Sequence, residues 1–334
     1  MSGAANTPTE RALIVRIRNW VGDVVLGLPA LQLLKSHGYE LSLVARGQWA
    51  PSLLAGHDWP VAVQPAGWRD KVAQQRALRQ QRTTQEPGFA QRENALLLPV
   101  SFSSALEMRL AGLRAVGVAK EGRSPLLARA VPWAESGHEL ERYWDVACRF
   151  LGVQQSAPRD IGLKVAPAKA EAAAQQLGAA GIRSGFVMIC PFAAGRAATA
   201  DKAEKKWPGF ADFVRQAESR LGLPLVVYPG PGEHAQAREL YPAARMLEGS
   251  DLAIYAALLQ RAALVVANDT GPAHMAAALG RPVISVLGPT EAARWAPWGS
   301  GVTVLQSPQQ GDTAVWPSAE QGLQLAQQLL QAAR

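Results

Sequence analysis

Cysteine is nearly absent from this 334-residue chain. Its two thiols, Cys148 and Cys190, lie far apart and form no metal-type pair, which excludes a disulfide scaffold and fits a reducing compartment. Long apolar runs are missing too. No stretch of about 18 uncharged apolar residues occurs, so no helix is expected to cross a membrane. The opening residues, "MSGAANTPTER", carry no apolar segment of the signal-peptide kind, and the expected location is cytoplasmic. No D-x-D pair stands out, so no metal ligand is assigned; Mg2+ stays an option that the sequence does not indicate. Acidic charge is in deficit, with 34 Lys and Arg against 27 Asp and Glu, a formal +7.

What is present is apolar mass: 48% of residues are hydrophobic and 18% charged, enough for two cores at this length. The basic excess is uneven. Residues 1–165 hold 20 basic and 14 acidic side chains, against 14 and 13 in the remainder. It concentrates between Arg69 and Arg129, with 11 basic and 5 acidic residues. That asymmetry suits either solubility or an anionic partner such as a phosphorylated glycan or a membrane surface. The basic residues are not interleaved with aromatics, so nucleic acid is not expected as a partner.

Strand-like and helix-like segments alternate through both halves. "ALIVRI" (12–17) reads as a buried strand, followed by one amphipathic helix to about His37. "ELSLVA", "NALLLPV" and "RAVGV" read as further strands, and 137–152 as a helix. The Gln/Arg-rich stretch 74–92 reads as a solvated helix and loop. A Pro- and Ala-rich linker follows residue 152, and the rhythm then resumes with "GFVMIC", "PLVVYPG", "ALVVAND" and "PVISVLG" as strands. A terminal helix covers about 317–333. No internal repeat is evident. Two βαβ-type domains with parallel sheets are expected, with ligands at the loops leaving the strands' carboxyl ends.

Those loops carry the chemistry. In "VVANDTGPAHMAAALG" a strand ends at Asn268, and Pro272 falls at a first helical position. Gly271 allows close backbone approach, and the helix terminus with the Thr270 hydroxyl suits a phosphate. His274 lies in the first turn. An aspartic protease also uses D-T-G, but it needs a second triplet or a dimer on an all-β fold, and neither is present. "GPT" (288–290), "CPFAAG", "EKKWPGF" and "YPGPGEH" fall on the same sheet edge. Hydroxyls, the Lys205–Lys206 pair and Glu233 together suggest a nucleoside diphosphate. At the other end of the chain, Asp23 opens the helix after the first strand. Locally it reads as a helix cap.

The segments "NWVGDVVLGLPAL", "LLPVSFSSAL", "KKWP" and "NDTGPAHMAAALGRPVISVLGPT" together resemble the bacterial lipopolysaccharide heptosyltransferases, glycosyltransferase family 9, from about residue 12 to about 300. "NWVGD" and "LPVSFSSAL" are more similar to the heptosyltransferase II branch. The resemblance implies an α/β fold of GT-B architecture, two Rossmann-like domains with parallel sheets facing a cleft. Residues 1–160 would form an acceptor-binding domain and 161–334 a nucleotide-sugar-binding domain, with room for the terminal helix to pack back on the first. It implies inverting transfer of heptose from ADP-heptose to the anionic inner core of lipopolysaccharide, by a monomer peripheral to the inner membrane. Asp23 would be the base. Lys205, Glu233, Asp269, Thr270, Gly271 and His274 would bind the donor, and Arg18, Asn19 and Trp20 the acceptor. No cofactor is required by this reading. Two departures stand out: Pro272 where the family has Leu or Met, and an extended loop at 191–204. The rival readings are another GT-B sugar-nucleotide enzyme, a different transferase or an epimerase, and a non-catalytic nucleotide-sugar-binding protein.

Overall fold

The computed structural model describes residues 11–183, 185–193, 205–249, 251–308 and 315–332. Residues 194–204 of the extended loop lie outside them. The chain divides into two compact units: residues up to Pro51 with Asp58–Ala157, and Ser52–His57 with the residues from Pro158 onward. Ser52–His57 is tied into the second unit by side chains. Ser52 Oγ donates to Asp251 Oδ1 (3.0 Å), and His57 Nε2 accepts from Lys164 N (3.2 Å).

The first unit is built on six parallel strands. They are β1 (Arg11–Arg16), β2 (Tyr39–Ala45), β3 (Val61–Val63), β4 (Ala95–Leu97), β5 (Ala115–Val118) and β6 (Arg129–Val131). Their order is β3-β2-β1-β4-β5-β6. β1 is central, and five of its six residues are buried, as a strand covered on both faces requires. The helix Glu139–Leu151 buries Leu140, Tyr143, Val146, Ala147 and Phe150 along one side. It is fixed at both ends. His138 Nδ1 accepts from Leu140 N, Glu141 accepts from His138 N, and Gly152 closes the helix in the left-handed conformation, φ 72°.

Two expectations change here. The opening helix is not continuous: it runs Val21–Leu26, breaks at Gly27 and resumes as Leu28–Ser36. Pro29 lies in the first turn of the second piece, where its missing N–H cannot continue the first ladder. The Gln/Arg-rich stretch is a helix from Trp68 to Gln85 followed by a segment that is anchored, not solvated. Gln75 and Phe89 are wholly buried, and Glu86 accepts from both Ala12 N (2.7 Å) and the Arg92 guanidinium.

The second unit repeats the pattern with six more parallel strands. They are β7 (Val187–Cys190), β8 (Leu225–Val227), β9 (Arg245–Met246), β10 (Leu264–Asn268), β11 (Val283–Val286) and β12 (Val302–Leu305), in the order β12-β11-β10-β7-β8-β9. Counted within each unit, both sheets have the order 3-2-1-4-5-6, the Rossmann arrangement. The terminal helix Ala319–Ala332 packs against the helix Phe210–Leu221 of its own unit. Leu323 and Ala326 are wholly buried there, and Glu320 pairs with Arg220.

Candidate active site

In a sheet of this order the strand connections reverse direction between the first and fourth strands, opening a crevice at their carboxyl ends. In the first unit that place lies beyond β1 and β4. The chain leaves β1 there and turns through Arg18, Asn19 and Trp20 into the helix Val21–Leu26, with Asp23 in its first turn. Trp20 is the N-cap residue, and no side chain caps this helix. Asp23 therefore makes no capping hydrogen bond, although it remains the acidic residue of the helix's first turn, near the positive end of the dipole. Its carboxylate is buried, 9% exposed, and accepts a hydrogen bond at Oδ1 from the Tyr143 hydroxyl (3.0 Å), 120 residues away. Arg18 stands 3.8 Å from Oδ2, with its guanidinium 5.8 Å from the centre of the Tyr143 ring.

Burial is the largest influence on Asp23 and pushes its pKa above the ordinary carboxylate value. Arg18 and the Tyr143 hydroxyl pull the other way, and Glu139 adds to the rise. Tyr143 is held well above its usual value, by burial first and by Asp23 next, so it stays a donor. Nearby, Glu139 and Arg142 form a buried pair at 2.9 Å. Arg16, at the end of β1, donates to Ile17 O and to Asn19 Oδ1 (2.8 Å), and burial lowers its pKa to about 10. Asn19 is therefore engaged within the turn, whereas Trp20 is 60% exposed.

The second unit places its cluster at the equivalent point, beyond β10 and β7. Asn268 ends β10, wholly buried, and joins three segments. Its Oδ1 accepts from Trp207 N (3.0 Å), and its Nδ2 donates to Pro191 O (2.6 Å) in the loop after β7. Trp207 is itself buried among Phe210 and Phe213 and donates from Nε1 to Pro317 O (2.8 Å). This anchoring holds Lys205, two residues earlier, at the sheet edge. Its ammonium meets Asp269 Oδ2 at 2.5 Å, and Thr290 Oγ1 donates to the same oxygen (2.7 Å).

Lys205 is 52% exposed while the Asp269 carboxylate is 9% exposed, so the cation is presented and the anion is covered. Thr270 is the N-cap of the helix Gly271–Ala278, but its hydroxyl turns back to Asn268 O (3.3 Å). Pro272 has no N–H, and Ala273 N already bonds Thr270 O (3.1 Å), so this helix tip offers fewer donors than its pattern suggests. His274 is buried in the first turn. Glu233 accepts from Gly230 N (2.8 Å), which folds its own loop after β8.

The structure thus joins Asp23 to Arg18 and Lys205 to Asp269. Tyr143 was not singled out from the sequence, and Asn268 and Thr290 were read only as members of their loop motifs, without a partner. A tyrosine on the buried side of an amphipathic helix, whose hydroxyl needs a partner, was the available signal for the first. Among the described residues, no three His, Cys, Asp or Glu side chains gather to hold a metal ion.

Two Rossmann-like units, each with a polar cluster at its switch point, fit the GT-B architecture. Residues 90–321 match the model of glycosyltransferase family 9 (heptosyltransferase), and the chain belongs to that family. It is 27% identical over 181 residues to lipopolysaccharide heptosyltransferase 3 of Escherichia coli. That alignment covers 51% of this chain and 50% of the relative, so the chain spans half the length of the curated protein it matches. Among solved structures, E. coli ADP-heptose lipopolysaccharide heptosyltransferase II superposes with a TM-score of 0.78 at 21% identity, covering 97% of this chain and 99% of that one. E. coli heptosyltransferase WaaC with ADP gives 0.71 at 22%, covering 95% and 99%. These two structures share the fold.

Proposed function

We propose that this protein transfers heptose from ADP-heptose to a hydroxyl of the anionic inner core of lipopolysaccharide, with inversion at the anomeric carbon. Asp23 carries the reading. A carboxylate that is buried, raised in pKa and bonded at one oxygen only is a better base than a solvated one. The acceptor oxygen attacks the anomeric carbon as its proton passes to Asp23 Oδ2. The bond from that carbon to the diphosphate breaks, and ADP leaves with the electron pair. The developing negative charge falls to Lys205 and to the backbone N–H of Gly271. Asp269 and Thr290 keep the Lys205 ammonium at the sheet edge. Glu233 is assigned to the ribose diol and His274 to the wall of the diphosphate site.

The acceptor is assigned to the first unit on charge and exposure. The helices that follow β1, β3 and β4 begin at one edge of the parallel sheet. They start with the exposed aromatics Trp20, Trp68 and Phe102, and the two tryptophans are close in sequence to Arg18, Arg69 and Lys71. Exposed aromatic rings at the sheet edge of a net basic unit suit an anionic, lipid-anchored glycan at a membrane surface, and hence a cytoplasmic enzyme peripheral to that membrane. In sequence the curated relatives are heptosyltransferase 3 proteins, while "NWVGD" and "LPVSFSSAL" favour the heptosyltransferase II branch.

The experiment is transfer with ADP-heptose and purified core acceptors of defined length, read by mass spectrometry. Heptose added to one acceptor, with ADP released only when acceptor is present, is the expected result. ADP-heptose consumed or isomerised without acceptor would favour the epimerase reading. ADP binding with no turnover on any acceptor would favour a binding protein.

A further inference from the structure

We propose that Tyr143 and Arg18 are positioning residues for the Asp23 carboxylate: the Tyr143 hydroxyl occupies Oδ1, Arg18 flanks Oδ2, and together they present Oδ2 to the substrate hydroxyl. This rests on the reading of Asp23 as the base. The last torsion of an aspartate is broad and roughly two-fold, so an unsupported carboxylate presents either oxygen in any of several planes. Asp23 has support from one direction only. Tyr143 is 1% exposed on a helix fixed at both ends, so the direction of its O–H is set by the fold. That hydroxyl takes Oδ1 at 3.0 Å.

Among the described residues, the hydrogen bond to this carboxylate falls on Oδ1 and none reaches Oδ2, where Arg18 at 3.8 Å acts as a charge. Asp269 in the second unit is the internal contrast. Its Oδ2 takes both a lysine and a hydroxyl, and such an oxygen is occupied. The charged and titratable groups facing Asp23 are Arg18 from the turn after β1, and Tyr143 and Glu139 from the helix Glu139–Leu151. The Glu139 charge is itself met by Arg142 at 2.9 Å.

The test uses the full chain and two readouts. One is a carbon NMR titration of the Asp23 carboxyl without substrates; the other is the pH dependence of transfer. In Tyr143→Phe, which keeps the ring and removes only the hydroxyl, the Asp23 midpoint should rise by about one pH unit, because a hydrogen bond to the charged form is gone. The acidic limb of the rate profile should move with it. The plateau rate should fall about tenfold or more, while ADP affinity stays as it was. The same substitution made in Asp23→Asn should cost nothing further. Arg18→Gln, which leaves the buried ring untouched, should also raise the midpoint and covers the case in which Tyr143→Phe folds poorly. An unmoved midpoint in these variants, or an undiminished cost of Tyr143→Phe in the Asp23→Asn background, would overturn the proposal and leave the base assignment standing. Full activity in Asp23→Asn would instead overturn the base assignment, and with it the catalytic sense of the positioning.

Discussion

The two switch points hold an aspartate each, and the protein treats them in opposite ways. Asp23 is buried with a hydroxyl on one oxygen and a cation at a distance of 3.8 Å. Asp269 is equally covered but sits at 2.5 Å from an ammonium that is half exposed. A carboxylate kept short of partners stays hungry for a proton. One saturated by a lysine becomes the fixed half of a cation holder. The same sheet order and the same residue type therefore support different chemistry, decided by what the neighbouring loops and helices bring. The Glu139–Leu151 helix brings a tyrosine to the first site, and the buried Trp207 turn brings a lysine to the second.

The comparison can be broken at the second site first. Lys205→Ala should weaken ADP binding by about 1.5–3 kcal/mol, roughly ten- to a hundredfold, because a charge-assisted contact to phosphate is lost. Titration calorimetry checks it, and equal affinities would move the phosphate contact elsewhere, with Lys206 the nearest alternative. A smaller, severalfold effect is expected from salt. The proposed approach of the acceptor to the basic first unit is long-range, and the Debye length falls from ~30 Å at 0.01 M to ~8 Å at 0.15 M. The KM for acceptor should rise over that range while the KM for ADP-heptose stays nearly level. Parallel changes in both would leave the basic excess as solubility charge.

The smallest effect is on stability, and its sign separates two carboxylates. Burial raises Asp23 above its unfolded value, so folding disfavours its charge and the parent loses stability as pH rises through the folded pKa. The Tm of Asp23→Asn relative to parent should then increase from acid toward neutral pH. Asp251 runs the other way. Burial pushes it up, but Lys169, the Ala253 N–H and Ser52 together hold it below the usual value. The stability it contributes is present at neutral pH and lost in acid, so Asp251→Asn should cost most at neutral pH and least in acid. Parallel pH trends in the two variants would refute the contrast.

The sequence carried the central strands well, because a buried parallel strand is a continuous apolar run and β1, β7, β10 and β11 are that. It carried much less of the sheet edges: β3, β6 and β9 are two or three residues long and part-exposed, with no period to read. The repeated strand order left no trace in the residues, since topology constrains apolar pattern and not identity. Lys205 and Asp269 were legible as motif members, yet their contact was not, because it depends on Asn268 and Trp207 fixing the turn between them. Tyr143 was invisible as a partner of Asp23 for the same reason: 120 residues separate two side chains that only the fold brings together.

The central proposal is Asp23 as a base that acts only in the transition state. Its most direct measurement is the transfer rate of Asp23→Asn at saturating ADP-heptose and acceptor, taken beside calorimetric ADP affinity and Tm of the same preparation. The rate should fall about a hundredfold or more, with ADP affinity unchanged and the protein folded. A variant that keeps more than about a tenth of the parent rate would contradict it.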